Sequence, residues 1–207
     1  MLGLAMIYLF KKLIQQSKAP SGKVGIQMMK IWNRAYLPMV NWSLGFVTLI
    51  KPKNILDIGV GNGASSNLLK NYFTASTIYG IDYSDIAIEQ AKKNYSTERL
   101  KFETKNILKT EYPARSFDLI FAFQTHFHWE DLKIALVEIK RILADEGELL
   151  IACEHSKLNY YLPNLKDAER FQQYLSDLGL FLIQKEATST WIFYRIVKEN
   201  ERINDNA

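Results

Sequence analysis

Two carboxylates and three glycines carry the first chemical signal. Asp57 closes the apolar run Ile55-Leu56, Gly59, Gly61 and Gly63 alternate behind it, and Asp82 closes a second apolar run 19 residues after Gly63. A carboxylate at a strand end accepts hydrogen bonds from both hydroxyls of a ribose, and no neutral side chain offers two charged acceptors for that purpose. Alternating glycines let the backbone take angles closed to a Cβ and let a ligand come close to the main chain. The second signal is Gln124, Thr125, His126, His128 and Trp129, directly after the apolar run Phe117–Phe123. An amide, two imidazoles and an indole suit a pocket that orients a polar acceptor, with His128 or His126 as general base. On an extended chain the two histidines, two residues apart, point the same way. No third ligand stands at metal-binding spacing, so no metal is expected.

The elements that must position these residues follow from the pattern. Asn54–Lys70 reads as strand, tight loop and helix in succession, and the helix presents free N–H groups to whatever the loop holds. Ser76–Asp82 is a second strand, and Ser84-Asp85 starts a helix through Asn94. Leu100–Thr104 is a third strand. Phe117–Phe123 is apolar on both faces, as a central parallel strand is. Leu132–Leu143 is a helix, Glu148–Ala152 a strand and Leu165–Leu178 a helix with Gly179 as its cap. Leu180–Lys185 and Thr190–Val197 are too close in sequence for a crossover and form an antiparallel pair. The alternation predicts an α/β fold with right-handed crossovers and seven strands.

Before Asn54 the chain has a different character. Met1–Leu56 contains no Asp or Glu and eight Lys or Arg, which leaves −4 on the remainder of a chain whose total is +4. A basic segment on an acidic body suits an anionic small acceptor or peripheral contact with an anionic membrane surface. Met1–Phe10 is apolar but too short for a bilayer, which needs about 20 residues, and its lysines follow the run, where a signal peptide would have them first. Helices are expected over 1–16, over Lys23–Tyr36 ending before Pro38, and over Met39–Ile50. Together they make an N-terminal helical cap, 1–53, on a catalytic domain, 54–207, with Trp32, Tyr36, Trp42 and Trp129 as acceptor-binding candidates. Hydrophobic residues at 48% and charged residues at 23% exclude a disordered or fibrous chain. A single cysteine, Cys153, points to a reducing, cytoplasmic setting.

The glycine pattern decides between nucleotide ligands. Dinucleotide sites read G-x-G-x-x-G, whereas here glycines fall at every second place with an acid two residues before the first. ILDIGVGNG and YGIDYSDIAIEQAKK resemble the first two motifs of class I S-adenosylmethionine-dependent methyltransferases of the small-molecule branch. SFDLIFAFQTHFHW and LVEIKRILADEGELLIA resemble the later strand, loop, helix and strand of that family. The resemblance covers Asn54–Ala152. It implies a Rossmann-like, doubly wound, mostly parallel sheet with an antiparallel last strand, and S-adenosyl-L-methionine as cofactor. It further implies that Asp57, Gly59, Gly61 and Gly63 wrap the methionine part and that Asp82 and Tyr83 hold the ribose. Asn106 and Ile107 would stand beside the adenine, with Gln124 at the end of the fourth strand. The product would be S-adenosylhomocysteine, and the acceptor a small molecule methylated at O, N or C. A nucleic-acid acceptor is not expected, because no N/D-P-P-Y/F motif follows the fourth strand. The alternatives are a nucleic-acid methyltransferase, which would use the basic N-terminal segment on phosphates, and a non-catalytic S-adenosylmethionine-binding protein.

Overall fold

The computed structural model describes residues 36–49 and 51–199. Trp32 and the helix expected over 1–16 lie outside them, as does all but the last residue of the helix expected over 23–36. Seven strands are present: β1 Asn54–Ile58, β2 Thr77–Asp82, β3 Leu100–Thr104, β4 Phe117–Phe123, β5 Leu143–Glu154, β6 Leu180–Ala187 and β7 Trp191–Lys198. They form one sheet in the order β3-β2-β1-β4-β5-β7-β6, with β7 antiparallel to both its neighbours and the rest parallel. The doubly wound sheet with a reversed last strand is as expected.

Six helices are described: α1 over residues 36–44, α2 Ala64–Tyr72, α3 Asp85–Tyr95, α4 Leu132–Ile142, α5 His155–Tyr161 and α6 Ala168–Ser176. Local chemistry sets their ends. Ser84 Oγ accepts the Ala87 N–H at 3.3 Å, and Asp131 Oδ1 the Ile134 N–H at 2.9 Å, each satisfying an N–H that has no intrahelical partner. The helix expected from Met39 to Ile50 instead runs through Pro38 and stops at residue 44. Gly45 ends it, and the Gly45 and Phe46 N–H groups tighten onto the Trp42 and Ser43 carbonyls at 3.2 and 3.1 Å. The expected helix from Leu165 begins three residues late, because Asp167 accepts the Glu169 and Arg170 N–H groups and fixes the start.

The core has two layers. On one face of the sheet Met39, Val40 and Leu44 of α1 pack with Leu69 and Phe73, with Ile88 and Ala91 of α3, and with Phe121 and Phe193. On the other, Leu136 and Ile139 of α4 and Phe171 and Leu175 of α6 pack with Ile120, Leu149 and Tyr194. Each fully buried Leu or Ile contributes about 1.5–3 kcal/mol, so α1 is fastened to the body by several such contacts. No described helix is long and apolar enough to cross a membrane.

The connections create the crevice. β1 is joined to β2 through α2, and β2 to β3 through α3, which carries the chain to one edge. Residues 105–116 then bring it back past β1 to β4 without a helix. Strand order therefore reverses between β1 and β4, and at such a switch point the loops leaving the two carboxyl ends diverge and open a ligand crevice. The glycine loop leaves β1 at this point, and Gln124–Trp129 leave β4.

Candidate functional site

The turn after β1 is shaped by what a side chain would strike. Gly59, at φ 73°, has Thr125 Cγ2 2.4 Å from where its Cβ would be. Gly63, at φ 85°, faces the Phe102 ring at 2.8 Å. Both φ values lie in the left-handed region, where an L-residue costs about 1–2 kcal/mol. The loop is pinned to β2, as the Gly59 and Val60 N–H groups donate to the Ile81 carbonyl at 2.7 and 3.2 Å. Thr125 and the Phe102 ring thus occupy the places that side chains at 59 and 63 would need, and only glycine lets them pack against the loop.

Asp82 stands at the carboxyl end of β2 and meets this loop. Its Oδ2 accepts the Gly61 N–H and its Oδ1 the Ser84 N–H, each at 3.0 Å. Burial raises its pKa, and the N–H groups of Ser84, Gly61 and Tyr83 counteract that rise. With three N–H donors the carboxylate still keeps acceptor capacity for a hydroxyl group. Tyr83, 59% exposed, lies beside it at the rim. Asn106 is exposed beyond β3, with its Oδ1 accepting the Leu108 N–H at 2.9 Å. Ile107 packs its side chain into the core with Leu56 and Ile81.

Asp57 is 1% exposed. Ser65 and Ser66, in the first turn of α2, both donate to its Oδ2 at 2.7 Å. Burial pushes its pKa up to about 6, against the pull of the two hydroxyls and with a further push from Asp82. Asp57 therefore braces the start of α2 from beneath the loop. Motif reading passed over the two serines that hold this acid. Their signal was available, since the first turn after a glycine loop faces back onto the strand end.

Across the switch point Gln124 takes φ 59°, a strained value for a residue with a Cβ. Its N–H donates to the Ala152 carbonyl at 2.9 Å and its Oε1 accepts the Glu154 N–H at 3.2 Å, so β5 holds it there. The strand ends at this reversal, and His126–His128 form one 3-10 turn. The extended arrangement expected for the two histidines is absent, because in a 3-10 turn residues two apart point in different directions. His126 is 2% exposed, and its Nδ1 has no hydrogen-bond partner. Burial, with His128 adding to it, depresses its pKa to about 3. It is therefore a neutral imidazole across the physiological range. His128 is half-buried, with its ring edge-on to Tyr161 at 4.9 Å and its N–H donating to the Thr125 carbonyl at 2.8 Å. Trp129 is half-buried and lies edge-on to the His126 ring, 6.3 Å away.

The aromatic candidates of the N-terminal segment separate. Trp42 packs on Phe46, Trp191 and Phe193 with ring centroids 5.1, 5.8 and 6.5 Å apart, over the β7 side of the sheet. Tyr36 packs against the core layer of Leu69 and Phe121, and burial, with the charge of Asp57 adding to it, raises its pKa. Cys153 is buried, and burial pushes its thiol up to about 12, which leaves it protonated and inert. Among the described residues no cluster of three or more His, Cys, Asp or Glu could hold a metal ion.

The arrangement fits one class of cofactor: a ribose-bearing group with an amino-acid arm, laid between Asp82 and the glycine loop. The comparisons agree with it. The family described as a methyltransferase domain matches residues 56–151. The chain is similar to malonyl-[acyl-carrier protein] O-methyltransferase 2 of Ilyobacter polytropus, 33% identical over 163 residues, 74% of this chain and 59% of that protein. It is also similar to juvenile hormone acid O-methyltransferase of Bombyx mori, 27% identical over 134 residues, 62% of this chain and 48% of that protein. The chain spans from 34% to 59% of the length of such curated relatives. In fold it resembles a solved S-adenosylmethionine-dependent methyltransferase of Aquifex aeolicus, with a TM-score of 0.64 at 18% identity over 76% of this chain and 88% of that one. The cofactor of the family is S-adenosylmethionine. Residues 56–151 thus carry a methyltransferase domain, and the chain is similar in sequence and in fold to class I S-adenosylmethionine-dependent methyltransferases.

Proposed function

We propose that this protein transfers a methyl group from S-adenosylmethionine to a small-molecule acceptor, leaving S-adenosylhomocysteine. The observation that carries this reading is the Asp82 carboxylate at the end of β2, fixed by the Gly61 and Ser84 N–H groups against the glycine loop. When bound, the sulfonium supplies an electrophilic methyl and a neutral thioether leaving group. The protein's part is to hold donor and acceptor in line and to exclude water.

In this reading Gly59, Gly61 and Gly63 admit the amino-acid arm against the backbone, and Asp57 braces the loop. Asp82 and Tyr83 take the ribose end, with Asn106 and Ile107 at the adenine side. Gln124, Trp42 and Trp129 bound the acceptor side. Trp32, outside the described residues, belongs to the same proposal. His128 is the general base where the acceptor carries a proton that must leave. His126, with its depressed pKa, serves as a neutral hydrogen-bonding group and not as a proton carrier.

The chain is read as a helical cap, 1–53, on a catalytic domain, 54–207. The acid-free basic segment before Asp57 supports an anionic acceptor, or peripheral contact with an anionic membrane surface. The buried, unpaired Cys153 supports a cytoplasmic setting. The test is to incubate the protein with S-adenosylmethionine and a fractionated metabolite extract and to measure S-adenosylhomocysteine. Acceptor-dependent formation, reduced in His128→Ala, is the expected result. Binding of the cofactor without turnover on any fraction favours the non-catalytic alternative.

A further inference from the structure

The turn His126–His128 has little to hold its own shape. Thr125, which precedes it, gives no side-chain cap, and the His128 N–H bonds the Thr125 carbonyl at 2.8 Å. A single turn fixes several backbone angles for very few hydrogen bonds, so packing must impose its geometry. The packing comes from the segment that follows β5. At the end of that segment Tyr161, the last residue of α5, lays its ring parallel to the Phe127 ring, the planes 6° apart and the centroids 5.2 Å. The His128 ring stands edge-on to Tyr161 at 4.9 Å and edge-on to Phe127 at 4.6 Å. Offset-parallel and edge-on contacts are the favourable ones between aromatic rings.

α5 is itself anchored away from this turn. The His155 N–H donates to the Thr190 carbonyl at 3.0 Å, and His155 Nε2 donates to the Thr188 carbonyl at 3.1 Å, which ties the start of α5 to the turn between β6 and β7. Leu158 is buried in the same core layer as Phe127, and Tyr161 packs against that layer. Just before α5, the Glu154 N–H donates to Gln124 Oε1 at 3.2 Å. Residues 154–161 therefore brace the loop after β4 at both ends, Gln124 through the backbone and His128 through a ring.

We propose that Tyr161 is a positioning residue for His128: its ring, seated on Phe127, is the wall against which the imidazole rests, and it sets the direction in which His128 meets an acceptor. The proposal rests on the reading of His128 as the group that takes the acceptor's proton. In that step the proton leaves the acceptor for the imidazole, and an imidazole displaced by about 1 Å costs turnover while the donor site is untouched. The ring of Tyr161, and not its hydroxyl, carries this role.

The test follows S-adenosylhomocysteine formation on the metabolite fraction that best supports it, in wild type, Tyr161→Ala, Tyr161→Phe, His128→Ala and the Tyr161→Ala, His128→Ala double variant. Tyr161→Ala should lower kcat about ten- to a hundredfold with KM for S-adenosylmethionine changed by less than about twofold. Tyr161→Phe, which keeps the ring, should bring kcat back to within about threefold of wild type. The double variant should be no slower than His128→Ala, because a ring that acts only through His128 then has nothing to position. In NMR spectra of the three histidines, the His128 ring signals, assigned from His128→Ala, should move in Tyr161→Ala and stay in place in Tyr161→Phe. A purely structural tyrosine would slow the double variant further. Multiplicative effects, kcat of Tyr161→Ala within about threefold of wild type, unmoved His128 signals in that variant, or Tyr161→Phe as slow as Tyr161→Ala overturn the proposal and leave the general-base reading standing. Full turnover by His128→Ala, or no turnover by wild type on any fraction, removes both. Should Tyr161→Ala not fold, Tyr161→Leu carries the same comparison.

Discussion

Gly59 and Thr125 close on each other across the carboxyl ends of β1 and β4, so that a Cβ on Gly59 would lie 2.4 Å from Thr125 Cγ2 and 2.9 Å from its Cβ. Thr125 is itself held there, its Oγ1 donating to the Ile58 carbonyl at 3.3 Å. The glycine loop after β1 and the loop after β4 therefore share one contact. Gly59→Ala meets both this clash and a φ of 73°. It should lower Tm by about 4–8 °C and weaken S-adenosylhomocysteine binding by at least about tenfold. Calorimetry and a thermal melt check this, and an alanine variant that melts and binds like wild type contradicts it.

His126 offers the opposite experiment. A buried Nδ1 without a partner costs stability, of the order of 1–3 kcal/mol for such a group. His126→Leu, which removes the polar atom and keeps much of the volume, should hold or raise Tm while impairing acceptor-dependent turnover. That combination identifies a residue retained for function at the expense of stability. A fall in Tm of more than about 5 °C, well over 1 kcal/mol in a chain of this size, would mean that the imidazole has a partner in solution.

Stability against pH separates Asp57 from His126. Asp57 is raised from its ordinary 3.8 to about 6, so the folded state binds the extra proton. Its contribution is present at low pH and lost as pH rises through that window. His126 is lowered from 6.5 to about 3, so the unfolded state binds the extra proton and stability grows as pH rises from about 3 to 6.5. Between pH 4 and 6 the two oppose each other. Asp57→Asn should make Tm rise more steeply with pH than in wild type, and His126→Leu should make it rise less or fall. Asp82, also raised, keeps part of the Asp57-like slope in both variants. Three superimposable Tm–pH curves would contradict the two assignments.

The sheet and the donor side of the site were legible because their causes are local. Asp57, Asp82 and the alternating glycines sit at strand ends defined by short apolar runs, and their spacing alone places them around one crevice. The acceptor side was less legible because its geometry depends on distant partners. Gln124 is held at φ 59° by the Ala152 carbonyl and the Glu154 N–H, 28 and 30 residues on, and this turns the histidines out of the extended arrangement. Tyr36 and Trp42 looked alike as amphipathic aromatics on helical segments. Only tertiary packing separates them, setting Trp42 against Trp191 and burying Tyr36 where the charge of Asp57 reaches it.

The central claim is that the Asp82 carboxylate and the glycine loop hold S-adenosylmethionine. Calorimetric titration of the intact chain with S-adenosylhomocysteine, repeated on Asp82→Ala, tests it most directly. The account predicts one site per chain in wild type. It predicts a loss of about a hundredfold or more in the variant, as expected for two hydrogen bonds to a charged acceptor. No binding by wild type, or equal binding by Asp82→Ala, would contradict it.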